Sequence, residues 1–165
     1  MNYGKIKPCD VANGEGVRVS LFVSGCPHKC KGCFNPELWN HEAGENFSCG
    51  TVFEIMDLCS PNYISGLSLL GGEPLDPNNV NPLDVLCSTF KRRYPHKTIW
   101  CYTGYEWENI KQLHILKYID VLVDGKFVEE LKDPRLKFRG SSNQRIIDVK
   151  KSLESGKVFV RKDLM

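Results

Sequence analysis

The sequence predicts an α/β protein with a mostly parallel sheet, because short apolar strands alternate with helical segments along the chain. Three β-rich runs carry the pattern most clearly: Arg18 to Val23, Ile64 to Leu70 and Thr98 to Tyr102. Between these runs, apolar residues recur at helical spacing. Alternating strands and helices form crossover units, and such units build parallel sheets. The chain has 165 residues, so we expect one domain that spans residues 1–165.

The remaining elements follow from the same periodicities. A first helix is predicted from Thr51 to Cys59, and a second begins at Asn81-Pro82, since proline is tolerated in the first helical turn. A fourth strand is predicted from Ile119 to Val123, and weaker strands from Arg145 to Val149 and from Lys157 to Val160. The apolar face of the second helix comprises Leu83, Leu86, Cys87, Phe90 and Tyr94, and a third helical face comprises Trp107, Ile110 and His114.

Four of the predicted strands end in loops that contain glycine. In open parallel sheets, ligands bind outside the carboxyl ends of the strands. We therefore expect these loops to meet on one rim and to form a binding site there. The loops are Ser24-Gly25-Cys26, Gly71-Gly72-Glu73, Thr103-Gly104 and Asp124-Gly125.

Charge and hydropathy narrow the class of function. The 22 basic and 20 acidic residues leave a formal net charge of +2, which is too balanced to indicate nucleic-acid binding. No apolar run is long enough to span a membrane, and no signal-peptide core follows the N-terminus, so we expect a cytoplasmic protein. Eight cysteines in such a protein indicate metal or redox chemistry before disulfides.

Three of these cysteines, Cys26, Cys30 and Cys33, lie within eight residues of each other. Thiolates hold iron–sulfur clusters, usually four per cluster, so three local ligands on a four-iron cube would leave one iron open for a substrate. A structural zinc site completed by His28 or His41, a redox pair and coincidence remain open as alternatives. The other five cysteines are interpreted as core or incidental residues: Cys9, Cys49, Cys59, Cys87 and Cys101.

A second motif, Leu70-Gly71-Gly72-Glu73-Pro74, follows the strand after the cysteines. Together the two motifs resemble the radical S-adenosylmethionine superfamily, which implies a partial, incomplete barrel. Within it, the sequence resembles the activating proteins of anaerobic ribonucleoside-triphosphate reductase over nearly the whole chain. The segments that carry this second resemblance are Met1-Asn2-Tyr3, 13–18, 21–26, 32–35, 100–105, 121–127 and 139–144.

The resemblance implies roles for individual residues. Cys26, Cys30 and Cys33 would bind a [4Fe–4S] cluster and so be the catalytic residues, with S-adenosylmethionine at the open iron. Gly71 and Gly72 would let the backbone approach that ligand, and Glu73 would face its amino group. Gly32, Cys33 and Phe34 would lie near the adenine, although many members have an aromatic residue where this chain has Gly32. Thr103 and Asp124 are expected at the rim, in contact with the ribose or the partner protein. Arg139 or Arg145 is expected to pair with the carboxylate of the ligand. His28 is expected to be exposed.

The implied activity is reductive cleavage of S-adenosylmethionine, followed by formation of a glycyl radical on the large subunit of the reductase. The partners would be that subunit and an electron donor such as flavodoxin or ferredoxin, with no nucleic acid and no membrane. Because the radical must be kept from water, we expect the reductase to close part of the site. A small radical enzyme acting on a free metabolite, an iron–sulfur electron carrier and a zinc-binding module remain alternatives. The tail after Asp148 has no expected role.

Overall fold

The computed structural model describes residues 1–165 as one seven-stranded mixed sheet with four α-helices. Short 3-10 turns occupy Pro36–Leu38, His114–Tyr118, Glu129–Leu131 and Lys162–Leu164. The strands are β1 (Asn2–Asp10), β2 (Val17–Val23), β3 (Glu45–Asn46), β4 (Ile64–Gly71), β5 (Thr98–Tyr102), β6 (Val121–Asp124) and β7 (Arg145–Asp148). The helices are α1 (Cys49–Leu58), α2 (Pro77–Arg93), α3 (Trp107–Ile110) and α4 (Val149–Ser155).

The strand order is β3-β1-β2-β4-β5-β6-β7, and the sheet does not close on itself. The central strands β2, β4, β5 and β6 are parallel, whereas β1 pairs antiparallel with β2 and β3, and β7 pairs antiparallel with β6. The α/β prediction is confirmed. The expectation of a mostly parallel sheet is corrected to a mixed sheet, because the chain returns directly to its neighbour at both edges instead of crossing over a helix.

The sequence misplaced the start of α2, which begins at Pro77 and not at Asn81-Pro82. Asp76 caps this helix, since its side chain accepts a hydrogen bond from the Asn78 backbone N–H, and Pro77 occupies the first turn. Pro82 therefore lies inside the helix. The predicted apolar face is confirmed, with Leu83, Leu86, Cys87 and Phe90 buried.

Other sequence-based assignments differ from the structure at the sheet edge, near the C-terminus and at the end of the third helix. The strand β1 was not predicted, and the proposed strand from Lys157 to Val160 is a single bridge between Val160 and Ile147. The third helix is short, since α3 ends at Ile110 and a 3-10 turn follows, and His114 is exposed. No helix combines the length and the apolar composition that crossing a bilayer requires.

The two faces of the sheet carry different chemistry. The helix-covered face holds Val19, Leu21, Leu67 and Leu69, which belong to a core cluster of 25 buried residues. The opposite face is called here the cavity face. Its residues alternate along each strand with those of the helix-covered face, because neighbouring side chains on a strand point to opposite sides. Its members include Arg18, Ser20 and Phe22 on β2, Ser68 and Leu70 on β4, and Trp100 and Tyr102 on β5.

Candidate functional site

The cysteine loop, residues 26–33, follows the end of β2 and is held by backbone hydrogen bonds. The Gly25 N–H donates to the Leu38 carbonyl at 2.8 Å, and the Cys26 N–H donates to the Trp39 carbonyl at 3.1 Å. Two residues of the loop, Lys29 (φ 48°) and Gly32 (φ 70°), adopt the left-handed backbone conformation. The chain turns at these two residues, and Cys26, Cys30 and Cys33 all line the same cavity.

The three thiols are partly exposed and form no disulfide, so they are available as metal ligands. Burial raises the pKa of the Cys26 and Cys30 thiols, while backbone N–H groups of His28 and Lys29 act in the opposite direction at Cys26. A partly desolvated thiol is held as thiolate when a metal binds it. The donor set therefore fits a thiolate-bound metal cluster.

Glu73 lies on the next loop, at the end of β4, and its carboxylate is fully buried. Its Oε1 accepts hydrogen bonds from the Leu75 N–H at 2.9 Å and the Thr103 hydroxyl at 2.7 Å. Its Oε2 accepts from the Gly104 N–H at 2.8 Å and lies 2.8 Å from His28 Nε2. The four donors leave this carboxylate engaged by the chain itself.

His28 points inward, contrary to the expectation that it would be exposed. Its side chain is only 7% exposed, because the ring contacts Glu73 and packs edge-on against Tyr105, with ring centroids 4.6 Å apart. The expectation failed because neighbours in sequence do not reveal that the chain turns the imidazole away from solvent. The pair joins the cysteine loop to the loop after β4.

The four glycine-containing loops meet, as predicted from the parallel strands. The Glu73 N–H donates to the Gly25 carbonyl at 2.7 Å, and the Gly125 N–H donates to the Tyr105 carbonyl at 3.0 Å. Asn79, at the start of α2, donates from its side chain to the carbonyls of Ser24 and Glu73, both at 2.9 Å. The rim is therefore one connected hydrogen-bonded structure.

A cavity of about 490 Å³ opens on the cavity face at this rim. Its size lies within the range typical of small-molecule sites. The sequence-predicted residues that line it are Cys26, Cys30, Cys33, Phe34, Gly71, Gly72, Glu73, Thr103 and Arg139. His28, which the sequence analysis expected to be exposed, also lines the cavity, and lining residues that the sequence did not indicate include Lys5, Lys7, Asn13, Trp39, Tyr102 and Phe138.

Several lining residues carry polar groups that have no partner in the chain. The Tyr102 hydroxyl, the Trp39 indole N–H and Arg139 Nε are buried without a hydrogen bond. Buried polar groups are normally satisfied, so each of these atoms would gain from a water molecule or a polar ligand that came within reach. Lys5 and Lys7 lie above the Phe22 ring at 4.6 and 5.3 Å from its centroid.

Three predicted residues lie elsewhere. Gly32 does not line the cavity, and a Cβ at its position would come within 2.6 Å of the Glu129 carboxylate. Asp124 accepts from the Trp107 N–H at 2.8 Å and from Arg145 Nε at 3.0 Å. Arg145 is therefore engaged by Asp124 and also by Glu108. Of the two residues expected to contact the ligand's carboxylate, Arg139 lines the cavity and Arg145 does not.

The two histidines of the zinc alternative are engaged elsewhere. No three His, Cys, Asp or Glu side chains lie close enough together to hold a single metal ion, and this holds for Cys26, Cys30 and Cys33 as well. Both histidines considered as zinc ligands contact carboxylates, His28 at Glu73 and His41 at Asp76, the latter at 3.2 Å. Of the five scattered cysteines, Cys59, Cys87 and Cys101 are buried, whereas Cys9 and Cys49 are exposed.

Most residues missed by sequence reasoning carry no local signal. Tyr102 and Trp39 could not be assigned to a cavity until the topology of the sheet was known. The period-two alternation on β2 and β5 is the one signal that would have placed Tyr102 opposite the hydrophobic core. The Asp76-Pro77 capping pair would likewise have placed α2, and with it Asn79, beside the rim.

The comparisons with known proteins agree with this chemistry. A family model described as a 4Fe-4S single cluster domain matches residues 12–147. The anaerobic ribonucleoside-triphosphate reductase-activating protein of Enterobacteria phage T4 is 51% identical over 146 residues, which cover 88% of this chain and 93% of the phage protein. The proteins of the same name from Haemophilus influenzae and Escherichia coli K12 are 47% and 44% identical, each over at least 87% of this chain and 96% of their own length.

An open α/β sheet with clustered free thiols at its rim, matched by a single-cluster family model, defines an iron–sulfur protein of the [4Fe–4S] class. The chain belongs to the family of anaerobic ribonucleoside-triphosphate reductase-activating proteins.

Proposed function

We propose that this protein activates an anaerobic ribonucleoside-triphosphate reductase by cleaving S-adenosylmethionine reductively and generating a glycyl radical on the large reductase subunit. The observation that carries the proposal is the convergence of three free cysteines and the Gly-Gly-Glu-Pro loop on one cavity. The names of the relatives support the partner, and the family model supports the cluster. We also propose that the open sheet is a partial barrel of the radical S-adenosylmethionine type and that residues 1–165 act as one domain.

Cys26, Cys30 and Cys33 would hold the cluster, each through its thiolate. When bound, a [4Fe–4S] cluster with one open iron supplies a single low-potential electron for cleavage of a carbon–sulfur bond. The hydrogen bonds from Gly25 and Cys26 to the segment around Leu38 would keep the cysteine loop in place while the ligand binds and leaves.

The Gly-Gly-Glu-Pro loop would bind the methionine part of S-adenosylmethionine through its backbone. The Gly72 carbonyl accepts no hydrogen bond from the chain, so it can accept one from the ligand's amino group. The Glu73 carboxylate already has four donors, and it would act by holding the loop. Arg139 Nε, which lacks a partner, would face the ligand's carboxylate or its ribose.

The electron balance needs an external reductant. One electron from a donor such as reduced flavodoxin or ferredoxin would convert S-adenosylmethionine to methionine and a 5′-deoxyadenosyl radical. That radical would remove a hydrogen atom from the target glycine, giving 5′-deoxyadenosine and the glycyl radical. Phe34 is 61% exposed, lines the cavity and packs at a tilt against Phe127, so either the adenine or the reductase could cover it.

Electron paramagnetic resonance tests the proposal directly. The reconstituted protein, reductant, S-adenosylmethionine and the reductase large subunit should give a glycine-centred signal with formation of 5′-deoxyadenosine. Cys30→Ala should abolish both, whereas Cys87→Ala, a change to a buried cysteine outside the cavity, should retain both. If wild type makes 5′-deoxyadenosine without a glycyl signal and instead modifies a free metabolite, the reductase assignment is wrong.

A further inference from the structure

His28 links its own loop to two others, and the proposed function requires the three loops to act together. It belongs to the cysteine loop, and its Nε2 lies 2.8 Å from Glu73, which is 45 positions away in sequence. Its ring packs on Tyr105, and a Cβ at Gly104 would come within 2.4 Å of the imidazole. One side chain thus joins the loop after β2 to the loops after β4 and β5.

The inward direction of His28 distinguishes it from its neighbours. Between Cys26 and Cys30, Pro27 and Lys29 are exposed, whereas the His28 side chain is 7% exposed. The partner carboxylate is 1% exposed. Because the other three groups at this carboxylate are donors, it acts as the acceptor, and we assign the proton to His28 Nε2.

The energetic reason follows from burial. Without the imidazole, Glu73 Oε2 would keep only the Gly104 N–H as a donor. Leaving a buried acceptor without a partner lowers the population of the native loop conformation by a factor of about ten to a hundred. The loop would then move to find water or another donor, and the link between the cysteine loop and the Gly-Gly-Glu-Pro loop would be lost.

We propose that His28 is a positioning residue that fixes the Gly-Gly-Glu-Pro loop relative to the cysteine loop. In doing so it sets the placement of S-adenosylmethionine against the iron that the three cysteines leave open. The inference rests on the proposed function and deepens it. It depends on the hydrogen bond and the packing of the ring, not on titration of the imidazole.

Two substitutions separate the hydrogen bond from the shape of the ring. His28→Phe keeps an aromatic ring against Tyr105 but has no donor for Glu73. His28→Gln places an amide N–H close to the position of Nε2. Lys29→Gln is the matched control, because it changes an exposed neighbour whose side chain forms no hydrogen bond or ion pair.

Hydrogen exchange of the reconstituted protein without S-adenosylmethionine is the first readout, since it is independent of the reaction. In His28→Phe, backbone exchange should become about tenfold faster in residues 71–75 and 103–105, whereas His28→Gln and Lys29→Gln should match wild type. If His28→Phe changes exchange only within residues 26–33, or changes none, the positioning role is wrong.

The spectral response of the cluster to S-adenosylmethionine is the second readout. The concentration for half-maximal response should rise about tenfold to a hundredfold in His28→Phe and stay within about threefold of wild type in His28→Gln. Iron per chain should be equal in all variants. Loss of iron from His28→Phe would overturn the inference in favour of metal retention. If wild type does not respond to S-adenosylmethionine, the proposed function fails, and the exchange experiment still decides the role of His28.

Discussion

Replacing Arg18 by methionine is expected to destabilise the protein by about 4 kcal/mol, although no cysteine or loop of the site is changed. The side chain is fully buried on the cavity face and stacks beside Trp100, 5.7 Å from the ring centroid. Its Nε donates to Ser68 Oγ at 2.7 Å, and its two terminal nitrogens donate to oxygens of Glu15, Leu67 and Thr98 at 2.8 to 3.1 Å. None of these acceptors is a carboxylate.

The magnitude follows from two opposing contributions. Five hydrogen bonds from a charged donor contribute roughly 7 kcal/mol at about 1.5 kcal/mol each. Burial opposes them, because desolvation outweighs the attraction of nearby acidic groups and lowers the pKa of Arg18 from 12.5 to about 10, a net cost of roughly 3 kcal/mol. Methionine fills a similar volume and removes both contributions. For a chain of this size, a loss of about 4 kcal/mol lowers the Tm by about 8–16 °C.

Urea unfolding followed by far-ultraviolet circular dichroism under anaerobic conditions measures the change. The midpoint should fall while the m-value stays constant, since the fold and its exposed area are unchanged. Arg135→Met is the control, because its side chain is 89% exposed and pairs only with Asp133, and it should stay within about 0.5 kcal/mol of wild type. A loss below about 1 kcal/mol in Arg18→Met would show that the charge is not needed and refute the reasoning.

Three further predictions address the cavity, the cysteines and the tail. Gly72→Ala would bring a Cβ within 2.5 Å of the Gly25 carbonyl and 3.0 Å of the Leu38 carbonyl, which anchor the cysteine loop, so both iron content and the spectral response to S-adenosylmethionine should fall. Gly50→Ala, whose Cβ meets nothing closer than 3.4 Å, should retain both. Iodoacetamide should label exposed Cys9 and Cys49 in the reconstituted protein, and mass spectrometry should find Cys26, Cys30 and Cys33 labelled only after the cluster is removed. In both states the buried cysteines should remain unlabelled, because burial raises the pKa of Cys59, Cys87 and Cys101. Leu164→Ala should lower the free energy of unfolding by about 2 kcal/mol, since Leu164 is 9% exposed and packs with Trp100 and Val121; an unchanged urea midpoint would show that the tail does not contribute to the core.

The central strands and the meeting of their loops could be predicted because their signals are local. Apolar runs followed by glycine mark strand ends in β2, β4 and β5, and the parallel arrangement then places the following loops on one rim. The cysteines are close in sequence, so their spacing predicts a shared metal centre, and this remains a prediction. The hydrogen bonds between Glu73 and Gly25 and between Gly125 and Tyr105 agree with that placement.

The missed elements depend on contacts between distant parts of the chain. The strand β1 contains Lys5, Lys7 and Pro8, a composition that does not indicate a strand, and it is extended because it pairs with β2 along its length. Arg18 would be assigned to the surface from its type alone, and only the carbonyls of neighbouring strands explain its burial. The contact between His28 and Glu73 likewise requires the topology.

The polar groups of the cavity constrain what can bind there. Its one lining carboxylate, Glu73, is saturated by donors, so it offers little to a cationic group. The unpartnered groups of Tyr102, Trp39 and Arg139 include two N–H donors and a hydroxyl, and Lys5 and Lys7 add positive charge at the edge. Acceptors on a ligand, such as a carboxylate, ribose oxygens or purine nitrogens, would complement these groups. The ligand's amino group must be met by backbone carbonyls, and the loop that carries Gly72 supplies them only while its close approach to Gly25 is kept free of side chains.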